Sequence, residues 1–293
     1  MNPAKRDPTK RDADKSGFDL ESWLSARRAE VNALLDARLP QPGNDPGRLV
    51  EAMRYSLLAP GKRLRPILAL AAAEAVGGRA DEAVRFAAAS VELVHCYSLI
   101  HDDLPAMDAD DVRRGRPTSH KAFGEATAIL AGDALLPLAF EWLAEAATMA
   151  NAPGRYLPAI AALARGAGVS GMVRGQARDT LATPPATLEA IERLHVEKTG
   201  ALFRAAVEIG GATAGANPEQ LAALGRFGSS YGIAFQHADD RDDSEHSTFA
   251  ADAVRRVHEL VADAVAAIEP FGDKAAPLRA LALKLGSSAT AGG

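Results

Sequence analysis

Apolar residues recur at helical spacing along nearly the whole chain. Between Asp19 and about Ala37, Leu20, Trp23, Leu24, Val31, Leu34 and Leu35 share one face, which predicts an amphipathic helix. Pro40 and Pro42 end it, because proline removes a donor and clashes with the preceding turn. A second helix begins near Pro46, carries Leu49, Met53 and Leu57, and stops at Pro60-Gly61. After the basic run Lys62, Arg63 and Arg65, read as a loop, a third is expected from Leu68 to Val76, closed by Gly77-Gly78. The stretch from about Asp81 to Asp103 is apolar nearly all round, so it is predicted to be central and buried. Pro105 stops it and turns Asp108 back toward Asp102.

Downstream, a long apolar helix starts near Gly124, another covers Tyr156 to about Leu181, and a third begins at Leu188 behind Thr187. Pro218 to about Gln236 forms the next, and Val254 to Leu285 reads as an amphipathic helical stretch. Residues 1–17 read as a disordered arm and 286–293 as a disordered tail, leaving one helical domain over 18–285. The expected fold class is all-α.

Composition supports that class. Of 293 residues, 47% are hydrophobic but only 5% aromatic, and much of the apolar share is Ala and Leu, both strong helix formers. A net charge of -5 lacks the basic footprint of a nucleic-acid binder. The single cysteine, Cys96, excludes an internal disulfide framework and a cysteine-cluster zinc site, and suits a reducing compartment. The first sixteen residues have no apolar core of the signal-peptide kind, and runs such as Ile67 to Ala73 are far short of a membrane span. A soluble, cytoplasmic protein with no membrane span is expected.

Charge placement points to chemistry. Asp102, Asp103 and Asp108 follow the central helix directly, where the backbone dipole is negative and further anions cost stability. A bound divalent cation would offset that cost, and Mg²⁺ takes carboxylate, water and phosphate oxygens. Arg113 and Arg114 lie just beyond, with planar forks suited to phosphate. A second acidic cluster contains Asp239 and Asp243, spaced i and i+4 so that both project from one helix face. Two such clusters at the ends of apolar helices are best explained by one shared metal-diphosphate cavity. His95 lies seven residues before Asp102, two turns along the same face, which keeps a ligand role open.

The motifs GKRLRP, HCYSLIHDDLPAMDADDVRRGRPTSHKAFGEATAILAGDALL, SGMVRGQARD, EKTGALF and YGIAFQHADDRDD follow one another from about Glu51 to Asp243. In content and order the series resembles the trans-isoprenyl diphosphate synthases, the polyprenyl synthetase family, and most of all bacterial farnesyl diphosphate synthases. The resemblance implies a bundle of long helices around a deep central cavity, and a homodimer. It implies two Mg²⁺ ions on Asp102, Asp103 and Asp108 and a third on Asp239 in the second motif. Arg113, Lys198, Thr199 and Gln236 would complete the site for an allylic diphosphate, dimethylallyl or geranyl. Isopentenyl diphosphate would bind Lys62, Arg65, His95 and Arg114 without metal. The implied reaction is ionisation of the allylic substrate, condensation and proton loss to farnesyl diphosphate.

Tyr97 lies five residues before Asp102, about 7.5 Å down the helix. By the same resemblance a bulky ring there stops the product at fifteen carbons; small Ser98 adds no second barrier. If the ring packs elsewhere, geranylgeranyl diphosphate is the expected product. The chain departs from the family after its second motif: SEHSTFAADAV follows Asp243 at once, and two lysines expected in the closing loop are absent, with His246 where one would stand. Arg241 could neutralise its acidic neighbours or stand in for the lost lysines. A shortened lid leaves open a weakly active or non-catalytic isoprenoid-diphosphate-binding subunit. A terpene cyclase is disfavoured, because GKRLRP and His95 form a second diphosphate pocket that a cyclase would not need.

Overall fold

The computed structural model describes residues 18–43, 45–181, 187–242 and 250–290. It contains helices α1 (Leu20–Arg38), α2 (Leu49–Leu57), α3 (Leu64–Val76) and α4 (Glu82–Asp102), then a short antiparallel hairpin of β1 (Val112–Arg113) and β2 (Arg116–Pro117). There follow α5 (Ser119–Phe123), α6 (Glu125–Met149), α7 (Pro153–Ala167), α8 (Met172–Leu181), α9 (Leu188–His195), α10 (Ala201–Thr213), α11 (Pro218–Asp242), α12 (Ala250–Ile268) and α13 (Ala276–Thr290). The all-α class is the observed one.

Local chemistry sets several of these boundaries. Asp19 and Asp81 cap α1 and α4, their carboxylates accepting the N–H groups of Ser22 at 3.1 Å and Val84 at 2.9 Å. Thr187 caps α9 by accepting from the Ala190 N–H at 3.2 Å. Once started, α4 buries Phe86, Val91, Leu93, Val94 and Ile100 completely, as a helix apolar on all sides must. One apolar cluster joins α4, α6, α7 and α10; a second joins α3, α11, α12 and α13. On α12, Val257, Leu260, Val261, Ala264 and Ile268 form the buried stripe.

The crossing of α3 and α10 depends on a missing side chain. A Cβ at Gly210 would stand 1.8 Å from the Ala69 carbonyl oxygen, so the two backbones touch. Gly210→Ala is expected to lower stability by about 3 kcal/mol, the upper end for overpacking, seen as a reduced melting midpoint. An unchanged midpoint would show that the crossing relaxes freely.

Several boundaries differ from the periodicity, among them the stretch from Val254 to Leu285, which is split at Glu269–Ala275. The third helix begins at Leu64 rather than Leu68, so Arg65 sits in its first turn and not in a loop. Pro66 is tolerated there because first-turn N–H groups have no helical partner. The stretch from Tyr156 to Leu181 is broken at residues 168–171; Gly171 lies so close to the Gly166 carbonyl oxygen that a Cβ would be 2.3 Å away. Helix α11 runs on to Asp242, and α13 to Thr290, five residues into the stretch read as a disordered tail. The hairpin at 112–117 is too short to leave an alternating pattern.

The expectation of no membrane-length segment also needs correction. Glu82–Asp102, Glu125–Met149 and Pro153–Leu181 are long and apolar enough, by length and composition, to cross a membrane. Scattered polar residues hide this from a search for unbroken apolar runs. The most apolar window of the first is 78% buried inside the bundle, against 39% and 44% for the others.

Candidate active site

A cavity of about 1150 Å³ opens between the C-terminal half of α4, the start of α3, the hairpin, α8 and α11. Its walls bring together Lys62, Arg65, His95, Tyr97, Ser98, Asp102, Arg113, Arg114, Lys198, Thr199, Gln236 and Asp239, which the sequence scatters over 178 positions. Asp243 lies outside the described residues.

The acidic side is assembled at the end of α4. Beyond Pro105 the chain folds back so that the Asp108 N–H donates to the Asp102 carbonyl oxygen at 2.9 Å. The three carboxylates differ in their placement, however. Asp102 alone of them lines the cavity. Asp103 is 4% exposed and accepts from Arg113 Nε at 2.6 Å, while Arg113 Nη2 reaches Asp110 at 3.2 Å. Asp108 is exposed outside the wall. Among the described residues no three His, Cys, Asp or Glu side chains are arranged as a group that could hold a metal ion. The reason is helical geometry: neighbours at the end of a helix leave it about 100° apart.

Burial pushes the Asp102 carboxyl up to about 6, with Asp108 and Asp103 adding to it and Lys198 and Arg113 opposing. Lys198 and Arg113 thus offset only part of the cost of burying this charged carboxylate. Its hard oxygen donors fit Mg²⁺, and Asp239 on α11 contributes a second carboxylate to the same cavity.

Across from Asp102, residues 196–200 form one π-type turn between α9 and α10. The widened turn turns Lys198 and Thr199 to the cavity, where Lys198 pairs with Asp179 of α8. Gly175 makes this possible, since a Cβ there would lie 2.2 Å from the Lys198 backbone nitrogen. The Thr199 hydroxyl donates to Gln236 Oε1 at 2.8 Å, joining the turn to α11.

The basic side is built on the start of α3. Arg65 stacks 4.5 Å from the Phe203 ring, and its Nε is buried without a hydrogen-bond partner among the described residues. Burial pushes this guanidinium down to about 10, with Glu92 opposing. Lys62 lies 5.6 Å from the Phe235 ring. Arg114, at φ 52°, donates to the Pro60 carbonyl oxygen at 2.8 Å. It crosses Gly61 so closely that a Cβ there would touch its Nη1 at 2.8 Å. Burial and the neighbouring Arg65 and Arg114 hold His95 well below the usual histidine range, so its imidazole is neutral near pH 7 and can donate one hydrogen bond.

The floor is apolar. Tyr97, 7% exposed, packs edge-on against His101 with centroids 5.7 Å apart. His101 Nε2 lies 3.0 Å from the Ile129 carbonyl oxygen. Gly132 of α6 leaves that ring its space, because a Cβ would come within 2.2 Å of Nε2.

Several wall residues have no assigned role in the sequence reading. Gln176 carries a buried amide whose oxygen and nitrogen both lack partners among the described residues; SGMVRGQARD was its signal. Arg28 of α1 stands at the rim and Glu92 in the wall, and neither belongs to a run that marks it.

Residues 46–250 match the family model for polyprenyl synthetase. The chain is 44% identical over 235 residues to the heterodimeric geranylgeranyl pyrophosphate synthase large subunit 1, chloroplastic, of Arabidopsis thaliana, covering 78% of this chain and 62% of that one. It is 44% identical over 225 residues to a chloroplastic geranylgeranyl pyrophosphate synthase of Capsicum annuum, covering 76% and 60%. The chain thus spans about three fifths of the length of these curated relatives. Among solved structures it resembles an FPP/GFPP synthase from Zymomonas mobilis, with TM-score 0.83 and 40% identity over 90% of this chain and 97% of that one. A geranyltransferase from Helicobacter pylori gives 0.81 and 30%, over 92% and 99%.

Proposed function

This chain belongs to the polyprenyl synthetase family, and from that premise we propose that it is a short-chain prenyltransferase. It joins isopentenyl diphosphate to dimethylallyl or geranyl diphosphate, giving farnesyl diphosphate. The observation that carries the reading is one apolar cavity with a carboxylate side at Asp102 and Asp239 and a separate cationic side at Lys62, Arg65 and Arg114. Two diphosphates of different binding modes fit such a pair of sites.

Asp102 and Asp239 would hold Mg²⁺, whose positive charge favours departure of the allylic diphosphate. Lys198 and Thr199 add a cation and a hydroxyl on the same side and stabilise charge growing on the leaving group. Lys62, Arg65 and Arg114 hold the isopentenyl diphosphate so that its double bond faces the ionised carbon. Phe203, Phe235 and Tyr97 keep water from the cation. The bond forms, one proton is lost to the departing diphosphate, and the product is five carbons longer.

The experiment incubates the protein with Mg²⁺, isopentenyl diphosphate and, separately, dimethylallyl, geranyl and farnesyl diphosphate, with products read by mass spectrometry. A fifteen-carbon product is expected. A twenty-carbon product would leave the chemistry standing and overturn the chain length; the relatives named above as geranylgeranyl synthases support that alternative. A second reading, a weakly active binding subunit, is favoured by one sequence fact: no lysine occurs from 199 to 273, so the closing segment carries none. Diphosphate binding without product would support it.

Metal linkage has a definite sign. With its folded-state pKa raised from 3.8 to about 6, Asp102 costs stability when ionised, and the cost shrinks as pH falls below the raised value and is gone below the lower one. Mg²⁺ binds the ionised form. Added Mg²⁺ is therefore expected to raise the melting midpoint at about pH 7.5 and to do so much less at about pH 5; equal shifts would count against Asp102 as a ligand.

A homodimer is proposed as well. It is supported by exposed apolar side chains on α6, where Leu130 is 55% exposed. Light scattering is expected to give twice the chain mass, and Leu130→Arg to give the monomer; a monomeric parent protein would overturn this.

A further inference from the structure

One arginine of GKRLRP has no part in that scheme. Arg63 is 5% exposed and pairs with Glu92, also 5% exposed, at 2.9 Å. Its other guanidinium nitrogens are engaged too: Nε donates to Asn32 Oδ1 of α1 at 2.9 Å and Nη2 to the Ala59 carbonyl oxygen at 2.7 Å. The side chain therefore ties α1, the turn before α3, and α4 together, with no nitrogen left over for a substrate.

The backbone of Arg63 is unusual as well. It sits at φ 54°, ψ 33° as the residue capping α3, a left-handed conformation that non-glycine residues seldom adopt. Such a conformation persists where the surroundings over-determine it, and clusters at functional sites. Here the three side-chain bonds supply that constraint. Lys62 precedes the turn by one residue and Arg65 follows it by two, while Glu92 lies one helical turn before His95 on the same face of α4. The ion pair thus links the two segments that carry the cationic side of the cavity. Glu92 also opposes the effect of burial on Arg65. Buried ion pairs contribute little net stability compared with apolar packing, so structural support alone is a weak reason for this one.

We propose that Arg63 and Glu92 are positioning residues for isopentenyl diphosphate: their buried pair locks the left-handed turn before α3 against α4 and so sets Lys62 and Arg65 opposite His95. This rests on the function proposed above.

The test compares wild type, Glu92→Gln and the double variant Arg63→Met with Glu92→Leu, which leaves no unpaired buried charge. Steady-state kinetics with geranyl and isopentenyl diphosphate are joined by calorimetric binding of isopentenyl diphosphate alone. Both variants are expected to raise KM and Kd for isopentenyl diphosphate tenfold or more, with KM for the allylic substrate within twofold of wild type. Arg63→Lys, which keeps the charge, is expected to fall between. A folded double variant with wild-type KM for isopentenyl diphosphate would overturn the proposal, as would equal losses for both substrates. A double variant that does not fold would make the pair a stability element and overturn it too. Wild type that binds no isopentenyl diphosphate would instead overturn the proposed function, and is told apart by failing before any substitution is made.

Discussion

Asp102→Ala is expected to cut turnover by about a hundred- to a thousandfold, the loss typical of removing one preorganised electrostatic contact to a developing charge. Of the first acidic cluster only Asp102 reaches the cavity wall, so the neighbours cannot replace it without moving the end of α4. Asp103→Asn is expected to do less, because its carboxylate acts through Arg113 at 2.6 Å. The metal-free Asp102→Ala protein is expected to be at least as stable as the parent near neutral pH. Burial makes the ionised carboxylate a cost, as its rise to about 6 records. Turnover assays and melting curves on the same preparation separate the two effects. Turnover within tenfold of the parent would remove Asp102 from the proposed metal site.

Tyr97→Ala is expected to lengthen the product by at least one five-carbon unit, read by mass spectrometry of the prenyl chains. The ring forms the floor beside His101, and His101 is itself held at the Ile129 carbonyl oxygen and over Gly132. Removing the phenol therefore opens volume that its neighbours are not free to fill. The variant is also expected to be less stable, since truncating a buried aromatic costs about 3–5 kcal/mol. A lower melting midpoint with an unchanged product would mean that the ring supports the floor without limiting the chain. Gly132→Ala offers a check from the opposite side: it pushes His101 toward the cavity, so a longer product from that variant would contradict the floor.

The sequence alone determined the all-helical class, the order of the helices and most of their lengths, because apolar spacing and proline placement act within one or two turns. It also determined which residue types meet: Asp102, Lys198, Thr199, Gln236, Lys62 and Arg65 all line one cavity. Only the tertiary structure decided how those side chains are used. Asp103 and Arg113 look like a metal ligand and a phosphate fork in the chain; the fold also pairs them with each other, because a buried charge is paired by whatever lies nearest in space. Arg63 looks like its basic neighbours, yet a left-handed turn buries it on Glu92, 29 residues away. Glycines 61, 132, 175 and 210 look like breaks in helical pattern, and each marks a contact too close for a Cβ. Such outcomes depend on backbone approach and on competition among long-range partners, which local periodicity does not encode.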